Sequence, residues 1–150
     1  LSIRKATVND IPKIREIINY HAKKEMMLPR SLSELYECTR SFYVYEIDGE
    51  IVGCCALQVS WEELAEVMSL AVKPENSKQG IGSKLVLKCM EDAKDLEVKK
   101  VFTLTYATPF FEKMGFHIVD KQALPHKVWS ACLKCSKFPD CDETALIKEI

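Results

Sequence analysis

Glycine is scarce in this sequence. Only five occur in 150 residues, and Gly80 and Gly82 share one turn, from Ser77 to Leu85 (SKQGIGSKL). No stretch rich in glycine, serine or proline marks a linker, and no segment repeats or falls to low complexity. No apolar run approaches the roughly 20 residues that span a bilayer, and no signal-peptide pattern is visible. Leu1 stands where an initiator methionine is expected, so a preceding segment is expected to have been removed or left out. Neither sign of charge prevails, since 21 basic residues face 22 acidic ones. That excludes the footprint of a nucleic-acid binder and a polybasic membrane patch, although a local basic loop can still hold an anion.

What is present fits one globular α/β domain over residues 1–150. The apolar fraction is 47% and the charged fraction 29%, enough for a core that needs no staples. The seven cysteines are an odd number in a chain that can fold without disulfides. Cys54 and Cys55 lie in a strand-like run and Cys89 on the apolar face of a helix. These three read as buried free thiols in a reducing cytoplasm, the expected location.

Periodicity gives the order of elements. Residues 2–6 read as a strand, and Thr7 with Asp10 as a capping box ahead of a helix carrying Ile11, Ile14, Ile17 and Ile18. Ser31 and Glu34 make a second capping box, which starts a short helix running through Leu35 to Cys38. Asp48-Gly49 between the runs 42–47 and 50–57 predicts a type I′ hairpin. A strand from Leu64 to Val72 continues the meander, and a helix with Ile81, Leu85, Cys89, Met90 and Ala93 on one face follows the glycine turn. Strand 98–106, short helix 108–114, strand 116–119 and a strand near 127–133 close the chain. The pattern predicts a mixed, mostly antiparallel sheet flanked by helices.

Glycine-rich turns that open helices usually hold phosphate, and three kinds compete here. A Walker loop needs Gly-Lys-Ser/Thr, whereas Gly82 is followed by Ser83-Lys84. A dinucleotide fingerprint needs a third glycine where Leu85 stands, and an acid on the next strand, which carries none from Lys99 to Tyr106. What remains is a cradle of backbone N–H groups from about Lys78 to Ser83, covering Gln79, Gly80, Ile81 and Gly82, at a helix start whose dipole favours pyrophosphate. The competing reading is a helix start that uses glycine only for a tight corner.

The flanks decide between them. Leu70-Ala71-Val72-Lys73-Pro74 followed by Ser77-Lys78-Gln79-Gly80-Ile81-Gly82 resembles the GNAT superfamily signature, Gln/Arg-x-x-Gly-x-Gly/Ala after an apolar-x-Val-x-Pro strand end, except that Ser77 replaces Arg or Gln. Phe111-Glu112-Lys113-Met114-Gly115-Phe116 resembles its Tyr-Glu-Lys-x-Gly-Phe landmark. The resemblance implies an N-acetyltransferase fold with splayed central strands, acetyl-CoA as donor, and no metal in catalysis. It implies that Leu70, Ala71 and Val72 hold the pantetheine arm and thioester carbonyl, and that Glu66 takes the ammonium proton. The alternative for Glu66 is a solvent-facing acid on a half-exposed strand. The superfamily's tyrosine acid is Phe111 here, which leaves Tyr106, Thr105 or water to protonate the thiolate.

Longer segments narrow the acceptor. Met27-Leu28-Pro29-Arg30-Ser31-Leu32, Leu64 to Val72, Leu124-Pro125-His126-Lys127-Val128-Trp129 and Cys132 to Glu143 resemble short N-acetylglutamate synthase-like acetyltransferases of arginine biosynthesis. An amino-acid acceptor, glutamate first, is implied. Arg30 and Lys127 then match carboxylate-binding positions, with Ser69 able to accept from or donate to the substrate. A surface ion pair is the alternative for both cations. Met68 and Ser77 stand where such relatives usually carry arginine, so another amino acid, a polyamine or a protein terminus stays open as acceptor. So does a non-catalytic acyl-CoA-binding regulatory domain, and so does a homodimer. Cys132, Cys135 and Cys141, with His126 and Asp140 nearby, have thiolate spacing, but one pair and a single fall short of the two pairs of a zinc site.

Overall fold

The structure, a computed structural model, describes residues 2–124 and 143–150. β1 (Ser2–Lys5) passes through a 3-10 turn into α1 (Ile11–Lys23) and α2 (Leu32–Glu37). A meander follows, β2 (Phe42–Ile47), β3 (Glu50–Trp61) and β4 (Leu64–Val72). Then come α3 (Ile81–Asp95), β5 (Lys100–Thr105), α4 (Thr108–Lys113), β6 (His117–Val119) and β7 (Thr144–Glu149). Among the described residues the seven strands form one sheet in the order β1-β2-β3-β4-β5-β7-β6. Only β4 and β5 pair in parallel, because α3 crosses over between them. No helix among the described residues is long and apolar enough to cross a membrane.

Local chemistry explains most boundaries. Asp48 and Gly49 both take positive φ, 50° and 78°, as a type I′ turn requires. The Asp10 carboxylate accepts the Thr7 amide at 2.8 Å and a forked pair from Arg4 at 2.7 and 3.0 Å. The Ser31 hydroxyl accepts the Glu34 amide at 3.1 Å, and α2 starts at Leu32, directly after its expected cap. α1 buries Ile11, Ile14, Ile17 and Ile18 on the sheet face that also holds Leu35, Phe42, Val44, Met68 and Ala71. α3 buries Ile81, Leu85, Val86, Cys89 and Ala93 on the opposite face against Tyr43, Tyr45, Ala65 and Val67. Cys54, Cys55 and Cys89 are buried free thiols, as their apolar neighbours suggest.

The last strand is the main departure. The expected strand at 127–133 lies outside the described residues, whereas the strand that pairs with β5 and β6 is Thr144–Glu149, which the sequence reading leaves unassigned. Its apolar run, Ala145-Leu146-Ile147, is three residues long. Such a run carries almost no period of its own, and pairing on both sides makes it a strand.

Candidate active site

The sheet opens at its centre. β4 and β5 share rungs only from Leu64 opposite Lys100 to Glu66 opposite Phe102. The Thr103 hydroxyl donates to the Val67 carbonyl at 2.9 Å, at the point where the strands part. Beyond it β4 bulges: Cys54 pairs with Ala71 and Ala56 with Met68, so Ser69 and Leu70 together face Cys55. Ser69 takes φ 55°, a left-handed value costing a serine about 1 kcal/mol or more. The Lys73 amide donates to the Val52 carbonyl at 2.8 Å. By antiparallel alternation, Ala71 turns its backbone groups to β3, while Leu70 and Val72 turn theirs into the gap. Of the three residues expected to present backbone groups there, Ala71 is committed to β3 and the Val72 carbonyl is engaged by His21.

Four side chains gather beside the bulge. Glu66 shares the α1–α2 face of β4 with Met68 by the alternation of a strand. Burial pushes its carboxyl up to about 7, the Glu143 charge adds to this and Arg30 opposes it. Arg30, in the loop before α2, donates to the Ser69 hydroxyl at 2.9 Å and to the Cys38 sulfur at 3.6 Å. Its Nε lies 3.8 Å from Glu34. Those contacts fix the guanidinium and leave N–H groups of its five for an incoming carboxylate. Ser69 thus serves two ends, as the bulge residue and as the anchor of Arg30.

The glycine turn forms a second pole. Gly80 caps α3 with φ 75°, and the first-turn amides of Ile81, Gly82 and Ser83 have no acceptor within the helix. Not every group of the expected cradle is free: the Gln79 amide donates to the Asn76 carbonyl at 3.3 Å. Lys78 and Gln79 are exposed, whereas the Ile81 side chain is buried in the core. A Cβ at Gly82 makes only ordinary van der Waals contact with the Phe110 ring at 3.6 Å, and at Gly80 it meets nothing within 4 Å. Gly80→Ala is therefore expected to cost about 1 kcal/mol through φ and not through a clash. The check is a melting temperature lower by about 2–4 °C; an unchanged value would show that the turn relaxes.

Other expected residues fall less cleanly. Thr105 ends β5 and its hydroxyl accepts the Ala107 amide at 2.9 Å; Tyr106 follows it, half-buried. Phe111 is 2% exposed, stacked edge-on between Phe110 and Phe116 at 5.0 and 5.3 Å. Lys127 and the cluster Cys132, Cys135 and Cys141, with His126 and Asp140, lie outside the described residues. Three further residues enter with no local motif. His21 donates from Nε2 to the Val72 carbonyl at 2.7 Å, across 51 positions of sequence. Cys38 abuts Arg30, and Glu143 adjoins the unassigned β7. The signal that could have found Glu143 is an acid two residues ahead of a short apolar run.

Comparison with known proteins adds relatives. A family model described as an acetyltransferase (GNAT) domain matches residues 38–118. An uncharacterized N-acetyltransferase of Chlorobaculum tepidum is 36% identical over 148 residues, covering 99% of this chain and 96% of that protein. An amino-acid acetyltransferase of Mycobacterium tuberculosis is 38% identical over 117 residues, 76% of this chain and 67% of that one. A crystal structure of a Mycobacterium tuberculosis protein in complex with CoA and a second ligand superposes with TM-score 0.85 at 28% identity, covering 100% of this chain and 99% of that one. N-acetylglutamate synthase from Neisseria gonorrhoeae, complexed with CoA and N-acetyl-glutamate, gives TM-score 0.90 at 26% identity over 99% of this chain. This chain spans 34% of that synthase's length.

Proposed function

The chain belongs to the GNAT acetyltransferase family, and on that premise we propose that it moves the acetyl group of acetyl-CoA to the α-amine of an amino acid, L-glutamate first. Residues 1–150 act as one catalytic domain in this reading. The cytoplasm, which holds both acetyl-CoA and reduced thiols, is its compartment, and the first committed acylation of arginine biosynthesis is its place. One observation carries the reading. The open edge of β4, bulged at Ser69, lies between an acid poised near neutrality, Glu66, and the free amides that begin α3.

The chemistry follows from those groups. First-turn amides of α3, with Lys78 and Gln79, take the pyrophosphate in place of the arginine absent at Ser77. The Leu70 and Val72 edge lies along the pantetheine arm, and an edge N–H donates to the oxygen that gains charge as the amine nitrogen attacks the thioester carbon. Glu66 takes the proton that makes the ammonium a nucleophile. The C–N bond forms, the C–S bond breaks, and the thiolate gains a proton from Tyr106, Thr105 or water.

Phe111 takes no part in that step. Phe111→Tyr is expected to lower stability by about 1–3 kcal/mol, because a hydroxyl among three packed rings has no partner, without raising kcat. Melting and steady-state rates decide it; a gain in kcat would reinstate a tyrosine acid at this position.

A second reading keeps the reaction and changes the acceptor's side chain to a neutral one. Met27, Cys38 and Met68 each pack against the α1–α2 core, Cys38 in contact with Arg30, and such apolar groups suit an apolar or amide side chain. Thiol release from acetyl-CoA against a panel of amino acids separates the readings. Glutamate turnover supports the first and turnover of neutral amino acids the second. Tight CoA binding with no turnover of any amine would reject both.

A further inference from the structure

The apolar stripe of α1 runs into a histidine. Ile14, Ile17 and Ile18 face the sheet, and the next position in that row is His21. The turn that ends the helix ties it down, since the His21 carbonyl accepts the Lys24 and Met26 amides at 3.1 and 3.0 Å. Tyr20 stands edge-on to the imidazole at 5.2 Å. From there Nε2 donates to the Val72 carbonyl at 2.7 Å, on the side of β4 where the rungs to β5 stop at Glu66. The Lys73 amide, in the same peptide as that carbonyl, donates to Val52 at 2.8 Å, so this peptide is clamped from both sides. Val72 also adjoins the start of α3: a Cβ at Gly82 would lie 4.0 Å from its Cγ2. The clamp therefore sits between the first-turn amides of α3 and the bulge at Ser69.

We propose that His21 is a positioning residue of the coenzyme site, fixing the Val72 end of the open β4 edge for the pantetheine arm. The inference rests on the coenzyme half of the reading above and not on its acceptor. A strand edge without a neighbour is free to swing, and ordering it when a ligand arrives costs affinity. A backbone carbonyl in a cleft also needs a donor. One imidazole N–H meets both needs. An apolar residue would continue the stripe of α1 as well, but it would leave the Val72 oxygen bare. Thr103 holds the Val67 carbonyl where the strands part and Arg30 holds Ser69 at the bulge. His21 is the matching tether at the far end, so the Leu70 and Val72 edge keeps one spacing for the amide groups of an extended arm.

The experiment is calorimetry with two probes. One is CoA; the other is adenosine 3′-phosphate 5′-diphosphate, the nucleotide and pyrophosphate of CoA without the arm. His21→Phe, which keeps a ring and removes the donor, is expected to weaken CoA about fivefold, the worth of one neutral hydrogen bond, and to leave the nucleotide unchanged. His21→Gln, whose amide N–H reaches the place of Nε2, should recover most of the loss. In turnover the KM for acetyl-CoA should rise to match while acceptor KM stays within about twofold. An unchanged CoA affinity would overturn the proposal. Equal weakening of both probes would overturn it too, making His21 a strut for the start of α3. So would a loss that Gln leaves unrepaired, since the ring and not its N–H would then matter. If His21→Phe does not fold, His21→Asn, whose amide stops one bond short of Val72, replaces it in the comparison with Gln. If the wild type binds CoA yet acetylates no amine, the acceptor reading fails on its own, and the two probes still decide the role of His21.

Discussion

Glu66→Gln is expected to lower kcat by about 10²- to 10³-fold, the usual worth of a placed general base, with both KM values within about threefold of the wild type. The size follows from what the side chain alone supplies. At pH 7 an α-ammonium is mostly protonated, and a protonated nitrogen has no lone pair for the thioester. A carboxyl held near 7 by burial and by the Glu143 charge accepts that proton close to isoenergetically; an amide cannot accept it. Wild-type kcat should therefore climb through about pH 7 as Glu66 ionises. The variant should lack this limb and rise only at alkaline pH, where the amine sheds its proton unaided. A variant with the wild-type profile would remove Glu66 from the mechanism.

The same substitution carries a second, opposite signature. Glu66 is raised from 4.5 to about 7, so between those values the folded protein holds a proton that the unfolded chain releases. Stability is therefore greatest below 4.5 and falls as pH rises to about 7, where a charged Glu66 costs about 1–2 kcal/mol after allowing for water at a half-buried group. Glutamine carries no such cost. Glu66→Gln should melt about 4 °C above the wild type at pH 8 and level with it near pH 4. A variant that is less active yet more stable cannot owe its defect to misfolding.

Features set by neighbours in sequence could be read before the structure, and features set by distant partners could not. Asp48-Gly49 requires positive φ wherever it falls between two alternating runs, and Ser31 with Glu34 closes its own box, so those boundaries are local chemistry. The apolar face of α3 repeats over four turns and needs no tertiary information. β7 is different, because Ala145-Leu146-Ile147 becomes a strand by filling the slot between β5 and β6. The bulge is different too. Nothing in Met68-Ser69-Leu70 marks Ser69 for φ 55°, a strain imposed by the β3–β4 register and held by Arg30 from 39 positions away. Ser69, Arg30 and Glu66 could be singled out one by one from a resemblance, but their convergence comes from the sheet opening between β4 and β5.

Arg30→Ala should raise acceptor KM by about 10²-fold, in line with the roughly 1.5–3 kcal/mol of a hydrogen bond to a charged group, while kcat and the KM for acetyl-CoA stay within about threefold. The prediction rests on how the guanidinium is held. Ser69 and Cys38 take one N–H from each terminal nitrogen, so the fork is fixed before substrate arrives and little entropy is lost on binding. Arg30→Lys should recover only part of the loss, because an ammonium cannot span Ser69, Cys38 and a carboxylate together. An acceptor lacking the carboxylate, such as the amino-acid amide, separates substrate recognition from scaffolding. If Arg30 grips the carboxylate, wild type and Arg30→Ala should use the amide equally poorly, and the two losses should not add. Full additivity, or equal rises in both KM values, would instead make Arg30 a strut for the bulge: removing it would relax Ser69 and displace the Leu70 edge on which the thioester depends.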